Sequence, residues 1–334
     1  MKKLCIATLM CFVFFGTCYA QSSCHVEVLQ VGNLEAFDDL YSSLVKRLEA
    51  NGLEQVRVNR TVIDADAEAG LWEKVKILYR IKHVTGDIID KKPDLVVTIG
   101  TPATKYSKDK IISAGIPLVF SAVAIPELVG CATKTKAGRG FTGTTIYMDP
   151  SDIMQIMLLG LPNIKKIGIV HSDDENAIAY SEEARSKASQ LGLEVITRQV
   201  KISESPENAA MELVNGGIDA FFAPIDSYYG LRDFGPTKKI LELSFEHKIP
   251  AISSITGNIR GAILYIAPDF RVIGELTGDQ VLKILKDKTD PESIPVNREK
   301  NLNVIVDLAA LKKMGIELPL EVLQIARSIE DTIH

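Results

Sequence analysis

"PDLVVTIGTPATKYSKD", residues 93–109, decides how the chain is read. Leu95 to Ile99 is apolar and rich in β-branched residues, and it is bounded by Pro93-Asp94 and Gly100, so it reads as a buried strand. A helix follows at once, with Thr101 placed to cap it and Pro102 at its first helical position. A buried strand running directly into a helix is the repeating unit of a parallel α/β sheet.

The same alternation extends in both directions. Upstream come a strand at 25–32, a helix at 34–52, a strand at 56–64 and a helix at 71–90; downstream, "IPLVFSAV" is another strand. A second series begins after residue 142 with the helix "DPSDIMQIMLLGLP", the strand "KKIGIVHS" and a helix ending at Gly192. "LEVITRQV", "ENAAMELVNGG", "DAFFAPID", "GPTKKILELSFEHK" and "IPAISSIT" continue it. Two such series predict an α/β protein of two similar, doubly wound parallel-sheet lobes joined by a hinge. The expected division is 24–142 for the first lobe, 143–267 for the second and 268–295 for a return to the first, with 296–334 packing near the hinge. Glycine-rich "GRGFTGTTI" (138–146) is the expected crossing.

The first residues read differently. Lys2 and Lys3, an apolar stretch from Leu4 to Phe15, then Gly16, Thr17 and Ala20 form the pattern of a secretory signal peptide over 1–20. The apolar run is too short to span a bilayer, which takes roughly 20 residues. Phe-Gly-Thr before Cys18 is a poor lipobox, so lipidation there is the weaker reading. The expected location is the periplasm or the exterior. Without those residues the formal charge moves from −5 to −7, and a mildly acidic chain with no basic run is a poor nucleic-acid binder. Cys24 and Cys131 remain and could pair in an oxidising compartment or stay as free thiols.

In open α/β sheets ligands sit beyond the carboxyl ends of strands, so the residues just after each strand carry the functional reading. Here they are Asn33, Gly100-Thr101-Pro102-Ala103-Thr104, Ser121-Ala122, Asp174-Glu175-Asn176, Asp226-Ser227 and Ser254: small, polar and hydroxyl-rich. A helix mouth built as Gly-Thr-Pro-Ala-Thr offers unpaired amides, the positive end of the helix dipole and, through Thr101 and Thr104, two hydroxyl donors. That suits a carboxylate or a similar anion, although the same residues would serve a plain N-cap. It is not a phosphate-binding P-loop, because the Gly-Lys-Ser/Thr ending is missing. "SDDEN" (172–176) could meet an ammonium group, or its acids could simply favour a helix's first turn. "DSYY" (226–229) could pair with a cation and stack on a ring, or be a solvated turn.

Catalytic signatures are missing. There is no Gly-x-Ser-x-Gly and no His-Glu-x-x-His, and the five histidines are scattered. Of these, His171 ends a strand near the presumed cleft and is expected to pack or lie at the surface. No enzyme activity, cofactor or metal is expected. Asn59-Arg60-Thr61 matches a glycosylation sequon by pattern.

The order "PDLVVTIGTPAT", "IPLVFSAVAIPELVG", "FTGTTIYMDP", "KKIGIVHSDDENA", "DAFFAPID", "GAILYIAPDFRVIGELTGDQVLKIL" and "NLNVIVDLAALKKMGIELPLEVLQIA" resembles the ABC-transporter solute-binding proteins of the tryptophan/tyrosine type. The resemblance implies a type I periplasmic-binding fold, a ligand in the inter-lobe cleft, and delivery of a small solute to a permease with a cytoplasmic ATPase, with the protein itself a monomer. By position it makes Thr101, Ala103, Thr104, Ser121, Ala122 and Asp226 binding residues. Where that family often carries Asp-Pro, this chain has Ile125-Pro126; where it often carries Glu-x-Asn-Ser, this chain has Glu175-Asn176-Ala177-Ile178. Those replacements predict a more apolar pocket or a different ligand. A ligand-sensing receptor on the same fold is the alternative reading, and a secreted enzyme a remote one; a neighbouring permease or kinase gene would separate the first two.

Overall fold

A computed structural model describes residues 24–51, 56–65, 71–256 and 259–332. The signal-peptide and lipidation readings fall outside them. The first lobe runs β1 (His25–Val31), α1 (Glu35–Ala50), β2 (Arg57–Ile63), α2 (Leu71–Asp90), β3 (Leu95–Ile99), α3 (Thr101–Ser113), β4 (Leu118–Val123) and β5 (Phe141–Thr145). The second runs α4 (Pro150–Gly160), β6 (Lys166–His171), α5 (Glu175–Ala188), β7 (Glu194–Gln199), α6 (Glu207–Asn215), β8 (Ala220–Ala223), α7 (Leu231–His247), β9 (Ala251–Ser253) and β10 (Leu264–Ala267). Then come α8 (Phe270–Leu285), β11 (Asn297–Arg298), β12 (Asn303–Val306), α9 (Leu308–Met314), α10 (Leu320–Ile325) and β13 (Arg327–Ser328).

Two sheets result, ordered β11-β5-β4-β3-β1-β2 and β13-β12-β10-β9-β8-β6-β7. Their strands pair in parallel except for β12, which runs antiparallel to β10. The central strands are buried along nearly their whole length because helices cover both faces. On β3, Val97 and Ile99 join the cluster under α1 and α8, while Val96 points into the cluster under α2 and α3.

The stretch read as a patternless crossing contains a strand: Phe141–Thr145 is buried and lies between β4 and β11. Its glycine is needed for packing, since a Cβ on Gly143 would sit 2.3 Å from the Phe120 ring. The chain passes between the sheets after β5, between β10 and α8, and between β11 and β12. α8 packs along α1, and β12 and β13 complete the second sheet.

Two smaller alternatives are decided by the structure. Cys24 and Cys131 are free and belong to different core clusters, and burial pushes the Cys131 thiol up to about 12. The Asn59 amide is held by the buried Glu27 carboxylate at 2.7 Å, which removes it from the surface role that a sequon implies. Among the described residues, no helix is long and apolar enough to cross a membrane, and no group of three or more His, Cys, Asp or Glu could hold a metal ion.

Candidate functional site

The rim of the first lobe begins at Gly100. Its φ of +93° turns the chain from β3 into α3, a conformation open to glycine, so Gly100 takes the cap position. Thr101 is therefore the first helical residue rather than the cap, and Pro102 follows it inside the first turn. The Thr104 hydroxyl donates to Gly100 O at 3.0 Å, which makes Thr98 the donor in the 2.9 Å Thr98–Thr104 contact. That spends the hydrogen expected to meet a ligand. The Thr101 hydroxyl and the Thr101 and Ala103 amides, by contrast, have no hydrogen-bond acceptor among the described residues. Pro102 carries no N–H. The mouth thus keeps two amides and one hydroxyl open at the positive end of a helix of 13 residues.

Ser121 also differs from expectation. Thr277 donates to Ile273 O at 2.8 Å, so in the 2.7 Å Ser121–Thr277 contact Ser121 is the donor, and its hydroxyl ties β4 to α8. Next to it, Ala122 has φ +55° where the β4–β5 register slips. A left-handed alanine costs about 1–2 kcal/mol, and such strain tends to be stored at functional positions.

In the second lobe, Asp226 is not a free carboxylate facing a cation. It accepts from the Ser172 amide at 2.7 Å, the Ser172 hydroxyl at 2.9 Å and the Tyr228 amide at 3.0 Å, and it is buried. Burial pushes its carboxyl above the ordinary 3.8, these hydrogen bonds work against that, and Asp174 adds to it. Its oxygens join the loops after β6 and β8. Asp174 caps α5 by accepting from the Asn176 amide. Asn176 Oδ1 and Ser254 Oγ are buried without a partner among the described residues, while Ser227 and Asn33 are exposed on the loops after β8 and β1. His171 is buried and contacts the Ser172 carbonyl through Nδ1 at 2.9 Å, a packing role.

Two contacts join the lobes through α5. Lys105, one turn into α3, meets both carboxylate oxygens of Glu175 at 2.6 and 2.7 Å. Glu175 is therefore engaged across the mouth rather than free for a ligand ammonium. Lys105 escaped the sequence reading, although its spacing of four from Thr101 places it on the same helix face. Nearer the crossings, Lys134 of the first lobe meets Glu183 of α5 at 2.6 Å and sits 4.0 Å above the Tyr147 ring, while Lys187 bridges Glu183 and Asp149 at 2.8 Å. Ile125, from the first lobe, packs into the second lobe's apolar cluster with Tyr147 and Tyr180.

The Glu183 network predicts an acid response. Burial raises the Glu183 carboxyl, but hydrogen bonds from Lys134, Lys187 and Tyr147 outweigh it and hold the group below 4.5. A depressed folded value adds stability that is present above the unfolded value and lost as pH falls through the folded one. The melting temperature is expected to drop as pH falls below about 4.5. Lys134→Met should melt lower at neutral pH and show a shallower acid decline. Parallel declines for parent and variant would remove Glu183 from the account.

With this geometry in place, comparison with known proteins is direct. The family model described as "ABC transporter substrate binding protein" matches residues 25–330. A tyrosine-binding protein of Clostridioides difficile is 24% identical over 239 residues, which is 71% of this chain and 67% of that protein. A solved structure from Streptococcus pneumonia in complex with L-Trp superposes with a TM-score of 0.73 at 22% identity, covering 92% of this chain and 99% of that one. The ligand-free, open structure of a substrate binding protein with adhesive properties from Clostridium difficile also gives 0.73 at 22% identity, covering 91% and 98%. The two parallel α/β lobes are of the type I periplasmic-binding kind.

Proposed function

This chain belongs to the ABC transporter substrate binding proteins, and we propose that it captures a small amino-acid-like or carboxylate-bearing solute between its lobes for an ABC importer. The family consists of binding proteins rather than enzymes. Export through residues 1–20, a monomeric state, and delivery to a permease with a cytoplasmic ATPase are parts of the same reading.

The open mouth of α3 is the observation that carries it. Two amides and the Thr101 hydroxyl lie on the strand-end side of the first lobe, and the Lys105–Glu175 pair reaches across to the mouth of α5. A ligand carboxylate would rest on Thr101 and Ala103. Its donor end would meet Asn176 Oδ1 and Ser254 Oγ, buried atoms that lack a partner among the described residues. A buried polar atom left unpaired costs about 1–3 kcal/mol, so a ligand donor there recovers a real loss. Ile125, Ala177 and Ile178 stand where proteins of this family often carry polar residues, which favours a ligand with an aromatic or aliphatic body.

L-tyrosine and L-tryptophan are the first probes, because one relative is a tyrosine-binding protein and another solved structure holds L-Trp. A true ligand at 100 times its dissociation constant should add roughly 2.7 kcal/mol of stability, readable in a thermal-shift screen that also contains other amino acids and small carboxylates. Thr101→Val removes the open donor and keeps its shape. Hydrogen bonds to charged groups contribute about 1.5–3 kcal/mol, so affinity for the best hit should drop roughly 10- to 150-fold in titration calorimetry. Binding by the variant equal to the parent's would reduce the mouth of α3 to a helix start.

A further inference from the structure

The three passages between the lobes meet around one small cavity. It measures about 30 Å³, room for about one water, and its walls come from Thr145–Asp149 in the first passage, Pro268 in the second and Arg298–Leu302 in the third. Ile273 of α8, packed on the first lobe, and Asp152 of α4, in the second, complete the lining. We propose that this cavity makes lobe closure proton-dependent, with Glu299 taking the proton and the protonated form favouring the closed state. The inference rests on the reading that the lobes open and close around a solute.

Glu299 bridges two of the passages, since its Oε2 accepts from the Asp269 amide at 2.9 Å. The charges around it come from several elements. Asp269, at the head of α8, turns its own carboxylate to the Arg271 amide and lies 3.8 Å from Arg327 of β13. Asp149, held by Lys187, and Asp152 stand at the head of α4, and Arg298 and Lys300 flank Glu299 on its own segment. Burial pushes the Glu299 carboxyl up from 4.5 to about 6; the Asp269 amide opposes this, the Asp269 charge adds to it and Arg327 reduces it.

The lobes are drawn together here, with Lys105 and Glu175 in contact across the mouth at 2.6 Å, and a rotation that parts them would separate walls belonging to both lobes and admit water to the cavity. The carboxyl then returns towards its ordinary range. The closed state thus holds the proton more tightly, and closure is favoured at low pH and weakened as pH rises through about 6. Moving from 4.5 to about 6 permits at most about a 30-fold change in the closed-to-open ratio, of which about 8-fold is realised between pH ~7.5 and ~5. The change suits a protein that meets external pH directly.

The test compares the parent with Glu299→Gln, whose amide oxygen can still accept from Asp269. L-tyrosine affinity is titrated at about pH 7.5 and about pH 5. In parallel, the ligand-free lobe-to-lobe distance is read from spin labels introduced by Asp109→Cys and Glu182→Cys in a Cys24→Ser background. The parent should bind about 8-fold tighter in acid and shift towards the short distance, while Glu299→Gln should resemble the acid form at both pH values. Asp269→Asn keeps a capping side chain and removes the neighbouring charge, so it should move the parent's midpoint to lower pH, and it serves as the second variant should Glu299→Gln not fold. Distances that do not change with pH, or variants that track the parent, overturn the proposal. Failure of L-tyrosine to bind while the distances still respond would count against the solute reading and leave the proton-linked hinge standing.

Discussion

Gly274→Ala should lower the stability of this protein by about 3 kcal/mol, one of the two largest effects expected of a single methyl-scale change. α8 lies against α1 so closely that a Cβ at residue 274 would stand 2.2 Å from the Leu40 carbonyl oxygen and 3.0 Å from Ser43 Cβ. The oxygen is backbone and cannot swing aside, so the helices must part. Leu40, Leu44, Ile273 and Val281, all buried there, would lose contact together. Better helix propensity returns at most about 1 kcal/mol. The melting temperature should fall by roughly 4–6 °C. Gly86→Ala, inside α2, is the internal comparison: its Cβ would meet only Lys110 Nζ, at 3.1 Å, and the far end of a flexible side chain can swing aside, so its cost should stay below about 1 kcal/mol. Equal effects of the two would show that backbone contact at Leu40 is not what limits the approach. The site should feel the change as well, because displacing α8 pulls Thr277 from Ser121 beside the strained Ala122.

The second large effect is expected at Asp226. Asp226→Ala leaves the Ser172 amide, the Ser172 hydroxyl and the Tyr228 amide without their acceptor. Each buried donor left unpaired costs about 1–3 kcal/mol, while relief from burying a charge gives part of that back. A net loss of about 3 kcal/mol in urea unfolding is the expected outcome. Asp226→Asn should cost less, since one oxygen still accepts and the Ser172 hydroxyl can turn to accept from the new amide. A loss below about 1 kcal/mol for the alanine variant would mean that the loops after β6 and β8 are held by something else. Because the folded carboxyl titrates above its ordinary value, its ionisation subtracts stability as pH rises through that value, opposite in sign to Glu183.

Much of the architecture is legible because periodicity is local. α2 has the bounds that its apolar spacing predicts, and β3 fills the run from Leu95 to Ile99. β5 was hidden because "FTGTT" has no apolar alternation. Its burial is supplied from far away, by Phe120 over Gly143 and by Gln280 donating to the Gly143 carbonyl at 2.8 Å. β12 escaped its orientation for a related reason: nothing in a four-residue strand states which way its neighbour runs.

The candidate site divides along the same line. Composition and order alone determined two α/β lobes, small hydroxyl residues at the strand ends and a glycine between β3 and α3, because each follows from neighbours within one or two turns of chain. Where those hydroxyls point was decided only by tertiary structure. Thr104 turned back to Gly100, Ser121 was claimed by Thr277 across 156 positions, and Asp226 by Ser172 across 54. Lys105 found Glu175 in the other lobe, 70 positions away. A polar side chain goes to whichever partner packing brings within about 3 Å, and the strand-end pattern records that a group is present there but not what folding places beside it.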